Sequence, residues 1–218
     1  MKQFEKPVIL LGAGGHAKVL ADLLLSQGKQ IIGVTDVDKN LYGKNAFFDI
    51  PVLGPDETVL QYNPDSVGLV NALGSIRATN TREKLFQCFY SQGYLFPNLI
   101  HPTAFMGKDV QLGSGVQLMA GAYLQTGVKI ADNVIVNTGA LVEHDCVLAA
   151  HAHIASRAVL AGGVFVGERS HVGAGAVVIQ GVNIGRDCTI AAGAAIVKNV
   201  VDASVVAGVP GRVLQCNE

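Results

Sequence analysis

From Leu112 to Ile196 every sixth residue is Leu, Ile or Val: Leu112, Leu118, Leu124, Ile130, Val136, Val142, Leu148, Ile154, Leu160, Val166, Val172, Val178, Ile184, Ile190 and Ile196. Two residues before each rung runs a second ladder of small residues and valines, among them Val110, Ala122, Ala140, Cys146, Ala152, Ser170, Cys188 and Ala194. A fixed six-residue period is the mark of a parallel β-helix. Side chains alternate across a strand, so positions two apart both point inward. Three strand-and-turn units close a triangular coil of eighteen residues, and fifteen rungs make about five coils, stacked ~4.8 Å apart. Each buried aliphatic side chain contributes roughly 1.5–3 kcal/mol. A lone coil cannot offset the entropy of its own ordering, whereas a stack can. Ordinary antiparallel strands would lose phase at their turns, and the ladder never does.

The 218 residues suit two modest domains, which we place at 1–98 and 99–218. Sixteen basic against 17 acidic residues give a formal charge of -1, no footprint for nucleic acid or an anionic membrane. A mean hydropathy of +0.37 raises the question of a membrane span. No stretch reaches the ~18 uninterrupted apolar residues that one needs. The N-terminus, MKQFEKPVILLGAGG, enters a strand at once and lacks a signal peptide's cleavage region. Cys146 and Cys188 are 42 residues apart, two coils and one face, so they should not bond, and Cys88 and Cys216 look incidental. The expectation is a reduced, soluble, cytoplasmic protein.

In the first hundred residues, an apolar run at 8–11 ends in Gly12-Ala13-Gly14-Gly15-His16. A helix with Val19, Leu20, Leu23 and Leu24 on one face follows, closed by Ser26-Gln27-Gly28, and a second strand at 30–34 ends before Asp36. This is a β-loop-α-β unit on a parallel sheet, a small Rossmann-like domain. Glycines at the strand-to-helix turn let backbone N–H groups approach a phosphate, and the helix N-terminus favours negative charge. An acid after the second strand commonly holds a ribose hydroxyl; Asp36 stands 24 residues beyond Gly12. The spacing also suits NAD, but 98 residues are too few for a full dinucleotide fold plus a catalytic domain, and such loops usually carry a small or apolar residue where His16 stands. A third strand at 67–73 runs into Gly74-Ser75, a loop at 76–81 leads to a helix at 82–92, and Pro97 to Pro102 forms the junction. Residues 199–218 leave the hexad register as a tail.

Histidines occur on the coils where an apolar solenoid does not need them: His144, His151, His153 and His171. His153 and His171 are 18 apart and belong to one corner of adjacent coils; His144 and His153 are nine apart and meet only across a subunit boundary. An imidazole suits the base that an amine nucleophile requires. Glu143 and Asp145 flank His144, and either is able to orient it, Asp145 only through a turn. Solvated surface histidines are the plain alternative. No H-x4-H pair of the kind used by β-helical zinc enzymes is present, and no metal is expected.

With these residues in view, the chain resembles the NeuD/PglD group of left-handed β-helix acyltransferases, which N-acetylate nucleotide-linked amino sugars. The likeness rests on Gly12-Ala13-Gly14-Gly15-His16-Ala17-Lys18-Val19, Ala72-Leu73-Gly74, Ile100-His101-Pro102 and the run from Asn137 to Cys146. The resemblance implies a nucleotide-sugar held by Gly14, Gly15, His16, Asp36 and Gly74. It implies His144 as catalytic base with Asp145 enhancing its basicity, and acetyl-CoA lying between two β-helices near His153, Gly162, Ala174 and Ala192. It also implies a homotrimer with shared sites, working on a 4-amino-4,6-dideoxy sugar of bacterial surface glycan, UDP-linked rather than GDP- or dTDP-linked. Two departures stand out: the acids after the second strand are separated, Asp36-Val37-Asp38, and the loop from Gly74 to Arg82 is long. The competing readings are a GDP-perosamine N-acetyltransferase, an O-acetyltransferase of a sugar such as sialic acid, and a non-catalytic nucleotide-sugar-binding scaffold.

Overall fold

The computed structural model describes residues 5–78 and 80–216. Residue 79 of the expected loop and residues 217 and 218 of the expected tail lie outside the described residues. The chain divides into two compact units, one comprising Met1–Gly74 with Lys84–Pro97 and the other Ser75–Glu83 with Asn98–Glu218.

The first unit carries a parallel sheet of β1 (Val8–Leu11), β2 (Ile31–Thr35), β3 (Val52–Gly54) and β4 (Gly68–Asn71) in the order β3-β2-β1-β4. β1 is buried along its whole length, as a central parallel strand must be. The strand expected third in sequence is the fourth. The additional strand, β3, is three residues long and too short to show a period. It packs so closely on β2 that a β-carbon at Gly33 would stand 2.5 Å from the Leu53 side chain. Helix α1 (Gly15–Ser26) buries Ala17, Leu20, Ala21 and Leu24, the i, i+3, i+4, i+7 stripe of a helix lying on a sheet. It ends where Gly28 turns to φ +68, with Gly28 N–H donating to the Leu25 carbonyl and Lys29 N–H to that of Leu24, each at 2.9 Å. That pair of bonds is a Schellman ending. Helix α2 spans Thr81–Tyr90; its Phe86 and Phe89 join Ile9, Leu11 and Leu69 in the core of this unit.

The second unit is the expected β-helix. Two-residue strands recur every six residues from Leu99–Ile100 to Ala195–Ile196. Every pairing joins residue i to i+18 in parallel, as Ile130 to Leu148 and Val142 to Leu160. Three faces result. The first holds the rungs Ile100, Leu118, Val136, Ile154, Val172 and Ile190, the second Met106, Leu124, Val142, Leu160, Val178 and Ile196, and the third Leu112, Ile130, Leu148, Val166 and Ile184. Both inward ladders form one continuous core. The register starts two rungs earlier than Leu112, because Ile100 and Met106 already stand in phase.

The corners explain how a chain of L-residues turns so sharply. Three residues before each rung, φ is positive at all fifteen positions from Asp109 to Gly193. Twelve of these are Gly, Asn or Asp, the residues that tolerate left-handed backbone at least cost. The other three are His151, Arg157 and Arg169. After the last coil, the strand Ser204–Ala207 extends the first face and pairs antiparallel with Arg212–Cys216. Among the described residues no helix is long and apolar enough to cross a membrane.

Candidate active site

His144 stands at the corner between the second and third faces, in the turn that joins strands Leu141–Val142 and Val147–Leu148. Its carbonyl accepts from Gly163 N–H at 2.8 Å, and Asp145 N–H donates to the Thr126 carbonyl at 3.1 Å, so the coils on either side fix its backbone. Asp145 is the left-handed residue of this turn, φ +60. That conformation brings its carboxylate round to its own neighbour, and His144 Nδ1 lies 2.9 Å from Asp145 Oδ2. A carboxylate only accepts, so Nδ1 carries the hydrogen, and in the neutral ring Nε2 is the nitrogen with the lone pair. Of the two acids flanking His144 the fold selects Asp145. The His144 side chain is about half exposed (51%), open to a reactant.

Gly162, one coil further on, lies against the imidazole: a β-carbon there would be 2.5 Å from His144 Nε2. Asp145 Oδ1 similarly leans over Gly127, where a β-carbon would come within 2.6 Å. Cys146 follows directly, but it is buried, and burial pushes its thiol up to about 11. It remains a thiol and offers no rival nucleophile.

In the first unit, Gly14 and Gly15 are exposed at the start of α1, beyond the C-terminal end of β1. Gly14 stands at the N-cap of the helix and makes no side-chain capping bond to the first turn. Gly74, beyond β4, is adjacent to His16, whose β-carbon would lie 3.3 Å from one added at Gly74. Gly14, Gly15, His16 and Gly74 therefore gather at one edge of neighbouring strands, where open α/β sheets bind ligands. Asp36 is placed differently from a free ribose ligand. Its Oδ2 accepts from Ala13 N–H at 3.0 Å and its Oδ1 from Asp38 N–H at 2.9 Å, pinning the glycine loop to the turn after β2.

Residues 7–89 match the PglD N-terminal domain family, and residues 163–198 match the hexapeptide repeat of succinyl-transferase. The crystal structure of PerB from Caulobacter crescentus, in complex with CoA and GDP-perosamine, is 37% identical to this chain. The match covers 96% of this chain and 97% of that one, with a TM-score of 0.88. The chain belongs to the NeuD/PglD-type sugar N-acetyltransferases. The acetyltransferase domain of PglB from Neisseria gonorrhoeae, in complex with acetyl coenzyme A, is 34% identical over 97% of this chain and 100% of that one, with a TM-score of 0.87.

Within this NeuD/PglD-type fold the remaining expected residues fall into separate places. Ala174 and Ala192 are exposed and stacked, 18 residues apart, at the corner between the first and second faces. His153 and His171 do lie one above the other, paired across adjacent strands. They occupy a face rather than a corner, because each directly precedes an inward rung and so points outward. Both are buried. His153 Nδ1 is 2.8 Å from Ser75 Oγ and its Nε2 3.2 Å from Asn137 Nδ2. Ser75 Oγ is also 3.2 Å from His171 Nδ1.

Residues 75–78 and 80–83, which the sequence marks only as a long loop and the start of a helix, pack with the coils. Ala78 N–H donates to Thr189 Oγ1 at 2.9 Å, and Arg82 Nη2 reaches both the carbonyl and the Oδ1 of Asn133. Glu83 pairs with Arg169, which grips Asp187 through two nitrogens at 2.6 and 2.8 Å. Asn133, His151, Arg169 and Asp187 are 18 apart in turn, one corner of four successive coils, and that spacing was the available signal. Among the described residues no group of three or more His, Cys, Asp or Glu is placed to hold a metal ion.

Proposed function

We propose that this protein transfers the acetyl group of acetyl-CoA to the amine of a nucleotide-linked 4-amino-4,6-dideoxy sugar, with His144 as the base. The observation that carries this is the His144 Nδ1–Asp145 Oδ2 contact at 2.9 Å, which leaves Nε2 as a lone pair at a partly exposed corner. The sugar amine attacks the thioester carbonyl and forms the C–N bond. His144 Nε2 takes the proton that the amine sheds. The tetrahedral adduct then expels the thiolate as the C–S bond breaks, and the proton passes from the imidazolium to sulfur. The two relatives, with CoA and GDP-perosamine and with acetyl coenzyme A, support this pairing of substrates.

Gly14, Gly15, His16 and Gly74 would receive the diphosphate, with Asp36 holding the loop in shape. Ala174 and Ala192 give a corner free of bulky side chains for the cosubstrate. A second copy of the chain completes the reading. The outward residues of the second face are Phe105, Tyr123, Leu141, Val159, Val177 and Ala195, an unbroken apolar strip. Phe105, Tyr123 and Val177 remain 45%, 38% and 44% exposed. That strip is bounded by the His144 corner on one side and the Ala174–Ala192 corner on the other. A neighbour seated on it joins the two corners, which a closed homotrimer does three times. The reduced, buried Cys146 and Cys188 suit a cytoplasmic site of action.

The test is an assay with acetyl-CoA and UDP- and GDP-linked 4-amino sugars, alongside their 4-hydroxy analogues. Acetylation of the amine alone, by an assembly sedimenting as a trimer, supports the reading. Turnover only on the hydroxyl analogue makes the protein an O-acetyltransferase, and binding without turnover makes it a scaffold.

A further inference from the structure

Fifteen turn positions from Lys108 to Ala192, six apart, are equivalent to that of His144: each precedes the left-handed residue of its corner. They carry Lys, Ser, Ala, Thr, Asp, His, Glu, Gln and Arg, and Gly once, at Gly162. The fold therefore accommodates a side chain at this position. In the same column of stacked coils, Thr126 and Gln180 bear one. The Gly162 backbone gives no reason for the exception either, since its φ is not left-handed, unlike that of Gly163 at +66. What distinguishes Gly162 is its neighbour. A β-carbon there would stand 2.5 Å from Nε2, 2.6 Å from Cε1 and 3.1 Å from Cδ2 of His144. The ring occupies the space that a side chain would need.

We infer that Gly162 is a positioning residue for His144. By lacking a side chain it lets the imidazole lie against the next coil, so that Nδ1 stays on Asp145 while Nε2 is held at a fixed angle. The functional part of this inference rests on the reading of His144 as base; the steric part does not. Two contacts then define the ring of an otherwise half-exposed residue: a carboxylate at one nitrogen and a bare backbone beside the other. A larger residue at 162 would rotate the ring or break the Asp145 bond. The reacting lone pair would shift by about an ångström, a displacement that costs up to ~10²-fold in rate. This role differs from a contact with acetyl-CoA, which the resemblance implies for Gly162.

A double-mutant cycle over Gly162→Ala and His144→Ala separates these roles. With His144 present, Gly162→Ala should lower the melting temperature by roughly 2–4 °C for each kcal/mol of clash. It should lower kcat by about tenfold or more, with the KM for acetyl-CoA changed less than about threefold. With His144→Ala, the ring is gone and Gly162→Ala should cost no further stability. An equal melting loss in both backgrounds, or a raised acetyl-CoA KM at unchanged kcat, would overturn the inference. If the single variant does not fold, the double variant decides: folding as well as His144→Ala supports the inference, and failure to fold refutes it. The melting arm stands whether or not His144 is the base, so its failure is distinct from a failure of the proposed function.

Discussion

His144 and Asp145 are sequence neighbours whose side chains nevertheless bond, Nδ1 to Oδ2 at 2.9 Å. On a regular strand they would point to opposite sides. The left-handed φ of +60 at Asp145 is what reverses one of them. A backbone irregularity required by the corner thus orients the imidazole that we propose as the base.

Asparagine tolerates left-handed backbone nearly as well as aspartate, so Asp145→Asn removes the charge without straining the corner. We expect kcat to fall roughly 10- to 10²-fold, against roughly 10²–10⁴ for His144→Ala, with sugar KM little changed in both. Steady-state kinetics checks this; an Asp145→Asn enzyme with full kcat would remove the carboxylate from the mechanism.

Arg157 and Arg169 have the same backbone strain, φ +58 at each, and opposite reasons for it. Arg169 holds Asp187 and Glu83, whereas Arg157 is exposed. Arg157→Asn should therefore stabilise by about 0.5–1 kcal/mol through relief at the left-handed position. Arg169→Asn obtains the same relief but loses its bonds to Asp187 and Glu83, and it should destabilise by about 1–3 kcal/mol. Denaturant melts of the two variants should move in opposite directions. Movement of both in the stabilising direction would show that the Arg169 cluster holds nothing.

The coils were legible in the sequence because a period of six repeated fifteen times outweighs any local accident. Even the need for a turn at Asp145 is readable there, because neighbours on a regular strand point apart. Legibility failed where interactions are not periodic. β3 is only three residues long, and its close fit depends on Gly33 lying beside Leu53. The partners of residues 75–78 and 80–83 do follow the coil repeat, Asn133 with Arg169 and His153 with Thr189, but that segment has no pattern of its own to say that it covers them. An acid after the second strand could be found by spacing, but the bonds that tie Asp36 to Ala13 and Asp38 are fixed only by the three-dimensional turn.

Residues 75–78 are held by a hydrogen-bond chain whose direction can be derived. Thr138 N–H donates to Asn137 Oδ1 at 2.8 Å, which turns Asn137 Nδ2 toward His153 Nε2. That nitrogen accepts, so His153 Nδ1 donates to Ser75 Oγ, and the Ser75 hydroxyl donates to His171 Nδ1. Ser75→Ala should leave both buried imidazoles short of a partner and destabilise by about 1–3 kcal/mol. Hydrogen exchange localised to residues 75–78 would show where the loss falls. An unchanged melting temperature would mean that the segment is held elsewhere.

The same histidine pair gives a pH dependence with a definite sign. Burial pushes His171 down to about 4, because the charged ring is poorly solvated there. In the unfolded chain the imidazole takes its proton near 6.5. Above that value neither state is protonated, and the stability contributed by His171 is fully present. Between about 6.5 and about 4 the unfolded state binds a proton that the folded state refuses, so stability falls as pH falls. At roughly 1.4 kcal/mol per unit, the loss amounts to a few kcal/mol. His171→Gln keeps a polar side chain but does not titrate, and its melting temperature should decline less than the wild type's between pH 7 and 5. Parallel declines would place the acid sensitivity in other groups. Asp187 is not the source over that range, because the bond to Arg169 holds its carboxyl below the usual carboxylate value. Its contribution is lost only at still lower pH.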